Sequence, residues 1–488
     1  MFTVDTPIEN TTRSRSLFDR IIKYVVDPRR MSHKYLLQIL LCLFLTGPTF
    51  FDNFFNACVT DMISRLDITH EKFSLLISIP SMTGVLCGAV AGIISAYGST
   101  LTAALTAVLS YVGAIIICYG ISGSSFATIM TGRVIFVLFW NLLGSVQKVI
   151  IFRQFSGQGL AWIFGMKIVA IRLGAVSGLY FAGDIMAEVD DSLPSALYYA
   201  LVLSGISLVC TLTFAYLRRG TNAAREILPL MVGHRRRQTT TSSQLPEGSS
   251  QSKSILSIPR DTWICCLIIF LYYGGLTPFE TFGVDYLVTD YGMTRADAGK
   301  ALALLPFFSF FSPLISPIIA RIRNQLLGIL LSQILIAIAI ISQIIELPHA
   351  PVLYICVMGI GHLIVANALW LALASVSPSE TDKTNAASVS SAIYAFSAFS
   401  FNWLTGIVRD IAGDYNSALF MMSALILAGS VVSMYLLQYG SWSEPLMRVN
   451  DVDRLLLDEN SFSSPQQSRS MISHGVPVVH PNHFVPTN

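Results

Sequence analysis

Long apolar runs recur along this chain, each about as long as a membrane-crossing helix and each closed by a short polar stretch. A bilayer core about 30 Å thick takes roughly 20 residues of helix. The pattern predicts spans at 34–58, 73–97, 100–122, 125–152, 158–188, 194–217, 261–288, 299–322, 325–346, 351–377, 384–409 and 416–438. Lipid offers no partner for an unpaired backbone group, so runs this long and uniformly apolar are expected as helices rather than barrel strands. The first run follows a polar, basic stretch and is long enough to cross, so it is expected to stay as an anchor and not to be removed as a leader.

The longest internal polar stretch, 218–260, is rich in Arg, Ser, Thr and Gln and divides the spans six and six. The expected fold class is an all-α membrane protein of twelve transmembrane helices in two pseudo-symmetric six-helix bundles, 34–217 and 261–438. The polarity of 218–260 predicts a flexible cytosolic linker, and the segments 1–33 and 439–488 are expected as cytosolic extensions, the latter disordered.

Composition agrees with a lipid-embedded chain. The hydrophobic set makes up 53% of the residues and only 12% are charged, where soluble domains carry roughly 25%. The net charge of +2 says little, but its distribution sets the topology. Basic residues cluster at Arg13, Arg15, Arg20, Lys23, Arg29, Arg30 and Lys34, and again at Arg218, Arg219, Arg225, Arg235, Arg236 and Arg237. Each cluster adjoins an apolar run, which points to positive-inside topology rather than nucleic acid, with both termini cytosolic. The loops assigned to the other side carry Asp61, Asp67, Asp190, Asp191 and Asp290.

Enzymatic chemistry finds no support. The eight cysteines all fall in apolar segments without metal-ligand spacing, and Cys265–Cys266 is not a CxxC pair. The sequence holds no phosphate loop and no HExxH, and its Gly-rich stretches lie inside apolar runs. A non-enzyme without cofactor or metal is therefore expected, and ATP-driven pumping is unsupported.

Several local segments are more specific than the layout. The first span ends in Phe51-Asp52-Asn53, with Asp61-Met62 following; the fourth opens with Gly132-Arg133. The fifth carries Phe164-Gly165 and Ala170-Ile171-Arg172-Leu173-Gly174, the eighth Ser312-Pro313-Leu314-Ile315-Ser316-Pro317, and the tenth Gly359 and Ala368-Leu369-Trp370. In this order and spacing, over roughly 35–435, the chain resembles the lysosomal dipeptide transporter subfamily of the major facilitator superfamily. It departs from that pattern at Ala91–Gly98, where the loop after the second span has neither the acid nor the Arg of the superfamily signature, and at Asn324, which replaces the equivalent acid after the eighth. In the fourth span Asn141 stands where the subfamily places an acidic residue in its cavity.

Ionisable groups inside a bilayer are costly and usually face a cavity or a partner. Arg172 lies mid-span in the fifth helix, and its planar fork matches a carboxylate. The resemblance implies a substrate-carboxylate anchor here; a structural pair with an acid on a neighbouring helix is the alternative. Lys167, five residues earlier, lies off that face near the cytosolic end and is expected to snorkel. Asp52 and Asn53 are candidates to bind a substrate amine or carry a proton, or to pair with an Arg such as Arg133. Asn141 offers a dipole where a Glu would offer charge, either to a substrate or in an interhelical hydrogen bond. Glu280 follows Gly274-Gly275-Leu276-Thr277-Pro278, residues expected to loosen the seventh helix, and is a candidate to replace the acid missing at 141. His362 and Trp370 share a face of the tenth helix two turns apart; His362 is a candidate pH-sensitive group or a packed residue, and the resemblance implies that Trp370 packs against the substrate. Gly174 and Gly178 make a small-xxx-small pair explained by close helix packing.

The tail contains Asp451 four residues before Leu455-Leu456, an acidic dileucine pattern of the kind read for endosomal and lysosomal delivery, or else part of an amphipathic helix. Together these features lead to the expectation of a small-solute transporter working by alternating access. The resemblance implies dipeptides leaving the lysosome lumen, by uniport or proton-linked, with the plasma membrane as the alternative location. It also implies a glycosylated single-span lysosomal accessory protein as partner, beside the solute and the lipid bilayer. An organic-anion or sugar carrier, and a non-transporting receptor or scaffold, remain the rival readings.

Overall fold

The computed structural model describes residues 31–87, 99–154, 157–231, 259–322, 325–345, 350–376 and 380–439. All regular structure among them is helical. Eleven helices are long and apolar enough to cross a membrane. The predicted second span begins at His70 and is described through Cys87, the rest of it lying among residues 88–98 outside the described set.

Most spans are single helices, among them Ser99–Ser122, Phe126–Gln154, Gly157–Glu188, Arg260–Thr289, Gln325–Ile344, Pro351–Ser375, Glu380–Ala412 and Asn416–Tyr439. Two are broken where the sequence analysis expects continuous runs. Span one passes through a 3-10 turn at Leu43–Leu45 between Met31–Cys42 and Thr46–Ala57. Span eight runs Arg295–Phe307, then a 3-10 turn at Phe308–Phe311, then Ser312–Arg321. Pro306 and Pro313 flank the second break, and each lacks the N–H that would continue the α-helical ladder. Span seven is the opposite case. Its Gly-Gly and Pro278 leave the helix unbroken. Gly274 instead admits the Phe401 ring and Gly275 the Met422 carbonyl and Ile426, so the glycines serve close packing on spans eleven and twelve. The sixth helix, Leu193–Met231, continues past the expected boundary at 217, through a stretch with helix formers such as Ala223, Ala224 and Glu226.

The helix partners repeat across the two halves. Span one packs on five and six, three on four and six, and two on four. In the second half seven packs on eleven and twelve, nine on ten and twelve, and eight on ten, which is the same set shifted by six. Among the described residues, five with eight and two with eleven are the most extensive pairings between the halves, and span one also touches span seven. Small residues set these distances. A Cβ at Gly174 would strike the Thr46 carbonyl and one at Gly178 the Phe50 carbonyl, so span one lies directly on span five. Thr46 Oγ1 adds a bond to the Ala170 carbonyl at 3.0 Å. At the crossing of spans five and eight, Gly183 touches the Ala296 backbone and Gly299 the Leu179 carbonyl.

Twelve spans put Met31 and Tyr439, the first and last described residues, on one face. We call the opposite one the far face; its connections include 58–69, 189–192, 290–294 and 413–415. Turn chemistry there is local. Thr69 caps span two by accepting from the Lys72 N–H, and Thr294 caps span eight by accepting from the Asp297 N–H. Gly292 and Gly413 take φ of +61° and +80°, which L side chains rarely adopt. The sorting pattern Asp451, Leu455 and Leu456 lies outside the described residues.

Candidate functional site

Arg172 stands midway along span five and is half-buried. Its guanidinium Nη2 lies 3.1 Å from Nε2 of His362 on span ten, so the contact crosses between the halves. Nδ1 of the same imidazole meets the Tyr272 hydroxyl of span seven at 2.9 Å. His362 is only 1% exposed, its ring stacked on Tyr272 and edge-on to Tyr273.

Aromatic groups extend this cluster. Tyr273 meets Tyr394 of span eleven edge-on, ring centroids 4.7 Å apart, and lies beside Trp370 of span ten. His362 and Trp370, which share a helix face, thus meet on one tyrosine. Glu280 lies near enough for the Arg172 charge to act on it, and both act on Tyr394, which also feels Asp52. Among the described residues, no carboxylate comes within ion-pair distance of Arg172. Tyr394 is 38% exposed, and the charges that act on it come from mid-span groups of both halves. The cluster therefore brings a cation, an acid and an aromatic wall together where the two halves meet.

The other predicted residues are placed differently. Asp52 is bound to Arg133, which is 2% exposed, through a 2.6 Å contact between Oδ1 and Nη1. Arg133 also donates from Nε to the Leu76 carbonyl at 3.4 Å and lies 4.6 Å from the centre of the Phe55 ring. Asn53 donates from Nδ2 to the Thr49 carbonyl one turn back, at 2.9 Å. Asn141 is half-buried, its amide next to Gly84, where span two meets Ala395 of span eleven. Lys167 is buried instead of reaching water, and it and Lys148 of span four act on each other as like charges.

The far face carries a second polar network that the sequence analysis did not assemble. Nε2 of His70 lies 3.2 Å from Asp285 of span seven, and Nδ1 lies 3.0 Å from Asp410 of span eleven. Asp285 also accepts from the hydroxyls of Thr60, at 2.6 Å, and Tyr415. Asp410 takes the backbone N–H groups of His70 and Glu71 at 3.1 and 2.7 Å, and so caps span two from the other half. Beside these, Arg295 at the start of span eight binds Asp61 at 2.6 Å and Asp191 at 3.1 Å, and Lys300 binds Asp184 at 2.9 Å. Burial pushes the Asp61 carboxyl above its ordinary range, and the Arg295 charge pulls against that. Apart from the Tyr415 bond, which lies within the second half, these contacts tie the first half to the second and close the far face. Asp191 stood out only as a loop charge and Asp61 as a loop charge and part of the Asp61-Met62 segment, and His70 gave no signal because its partners lie more than 200 residues away.

The arrangement has known counterparts. The sequence profile of the Major Facilitator Superfamily matches residues 39–401. The lysosomal dipeptide transporter MFSD1 of Homo sapiens is 23% identical over 426 residues, covering 84% of this chain and 87% of that protein. Its Mus musculus counterpart is 21% identical over 475 residues, covering 93% and 94%. Among solved structures, the nucleoside transporter NupG superposes with a TM-score of 0.61 at 14% identity, covering 83% of this chain and 99% of that one. A bacterial homologue of the human lysosomal transporter Spinster, inward-facing and unoccupied, gives 0.58 at 12% identity, covering 85% and 98%. The profile match takes in most of the chain, and the helix pairing repeats between its halves; this multi-pass membrane protein belongs to the Major Facilitator Superfamily.

Proposed function

We propose that this protein is a secondary carrier for small peptides, most simply dipeptides, moving them from the lysosome lumen to the cytosol. The observation that carries this is Arg172: a guanidinium in mid-membrane whose hydrogen-bond partner is an imidazole, with Glu280 near enough to feel its charge. A dipeptide is a zwitterion with a carboxylate at one end and an ammonium at the other. Arg172 takes the carboxylate through a bidentate fork, and Glu280 supplies the acidic pole that Asn141 cannot. Tyr273, Tyr394 and Trp370 give side chains a broad aromatic surface. Asp52, already paired with Arg133, and Asn53, bound to its own helix, shape the first-span wall of the site. Alternating access follows from rocking the halves about this midplane cluster, with the far face as the lumenal one and both chain ends in the cytosol. The similarity to MFSD1 supports the peptide and lysosomal parts of this reading, and the dileucine pattern at Asp451, Leu455 and Leu456 supports delivery there. A glycosylated single-span accessory protein belongs to the same reading.

A carrier of organic anions is the second reading, favoured by Lys148 and Lys167 lying close together beside the same half. One experiment decides between them. The purified chain is screened by thermal shift against dipeptides, amino acids, sugars and carboxylates, with uptake into proteoliposomes in parallel. Dipeptides should stabilise it and be taken up, and Arg172→Ala should lose both effects. Stabilisation by simple carboxylates but not by dipeptides would favour the anion reading; stabilisation without flux would indicate a receptor.

A further inference from the structure

We infer that Tyr272 and His362 form a positioning relay that aims Arg172 without neutralising it; this rests on the carboxylate-anchor reading above. A guanidinium is a donor only, so Nε2 of His362 is an acceptor in the 3.1 Å contact. The ring hydrogen then sits on Nδ1 and is donated to the Tyr272 oxygen at 2.9 Å. Arg172 thereby selects the tautomer, Tyr272 takes the remaining ring hydrogen, and burial of both side chains fixes the ring plane. Had the partner been a carboxylate, Arg172 would be held equally well but its charge would be spent on that pair. A neutral imidazole holds the fork in one direction and leaves the full positive charge for a substrate. The relay runs from spans seven and ten to span five, so each half supplies part of the carboxylate seat.

The test measures binding of alanyl-alanine and its C-terminal amide to the full chain. His362→Leu should weaken the dipeptide about tenfold, the loss of one charge-assisted hydrogen bond, while the amide, which lacks the carboxylate, changes little. His362→Gln keeps an acceptor and should bind within about threefold of the parent. His362→Asp should be worse than His362→Leu, because its carboxylate quenches Arg172. Tyr272→Phe should fall between His362→Gln and His362→Leu. The relay is overturned if His362→Leu binds the dipeptide normally, if His362→Gln is as poor as His362→Leu, or if His362→Asp is no worse than His362→Leu. Normal binding by Arg172→Ala would instead remove the anchor reading itself.

A separate set of contacts carries a second inference: we propose that His70 is a proton-operated latch on the far face. Both of its ring nitrogens face carboxylate oxygens, Asp285 at 3.2 Å and Asp410 at 3.0 Å. An imidazole can donate to both only when each nitrogen bears a hydrogen, which is the charged form. Deprotonation leaves one lone pair against a carboxylate and turns an attraction into a repulsion. The groups around the ring are Asp285 with Thr60, Asp410, the Tyr415 ring edge with Arg409 over it, and the adjacent Glu71 and Lys72. Asp61 also titrates on this face, but it acts on Arg295 and is unchanged in a His70 variant.

Hydrogen exchange of the segment 68–72, corrected for the intrinsic effect of pH, reads the latch directly. On acidification from about pH 7.5 to 5.5, protection of amides 70 and 71 should rise several-fold. His70→Asn should lose this dependence, and His70→Lys, which is charged throughout, should be protected at both pH values. An unchanged pH dependence in His70→Asn, or none in the parent protein, overturns the proposal.

Discussion

At the scale of single residues, the two buried arginines behave differently because their partners differ. Arg133 is held by a carboxylate, an aromatic face and a backbone carbonyl; Arg172 is held by an imidazole. Removing Asp52 strands a buried cation, and breaking such a pair typically costs about 3–5 kcal/mol. Asp52→Leu should therefore lower the thermal midpoint in detergent markedly. Adding Arg133→Met should recover most of the loss, since no lone charge is left; a double variant no better than Asp52→Leu would mean the pair is not what Arg133 depends on. Arg172, His362 and Glu280 were legible in the sequence as ionisable groups inside apolar runs. Their meeting was not, since Arg172 and His362 are 190 residues apart. Tyr272, Tyr273 and Tyr394 were illegible for another reason: an aromatic in an apolar helix reads as packing until its hydroxyl has a partner.

Among the elements, helix identity was written plainly in the apolar runs, and most ends fall within a few residues of the predicted limits. The breaks in spans one and eight were not anticipated, because run length reports burial and not backbone continuity. Glycine had two meanings that the sequence alone could not separate. Gly274 and Gly275 suggested a loosened helix and instead let neighbours approach, as Gly174 and Gly178 do on span five. Gly174→Ala should drive a methyl into the Thr46 carbonyl and wedge spans one and five apart, a loss of about 1–3 kcal/mol if the cost is that of overpacking. Gly413 has open space around it but a φ of +80°, so Gly413→Ala should cost only about 1 kcal/mol, from backbone strain. Thermal midpoints of the two variants, measured side by side, test this ranking.

For the whole molecule, the six-and-six division was visible in the polar stretch from 218, and the repeat of helix partners matches it. The closure of the far face was invisible, because its charges, some in predicted loops and some at span ends such as Asp184, Asp285 and Lys300, find their partners only across the two halves. Arg295 alone ties span eight to Asp61 and Asp191. The Arg295–Asp191 pair is exposed, and such pairs contribute roughly 0–1 kcal/mol each, while Asp61 is more sheltered; Arg295→Ala should leave the fold intact while shifting the balance of conformations by a few-fold. Transport assayed from each side of the membrane reads that shift. A solute arriving at the far face finds its seat reachable only in those molecules whose ties have parted. Its apparent affinity from that direction is diluted by their fraction, even though the seat itself is the same. Arg295→Ala should therefore sharpen apparent affinity from the far side alone, making the protein a less one-sided door.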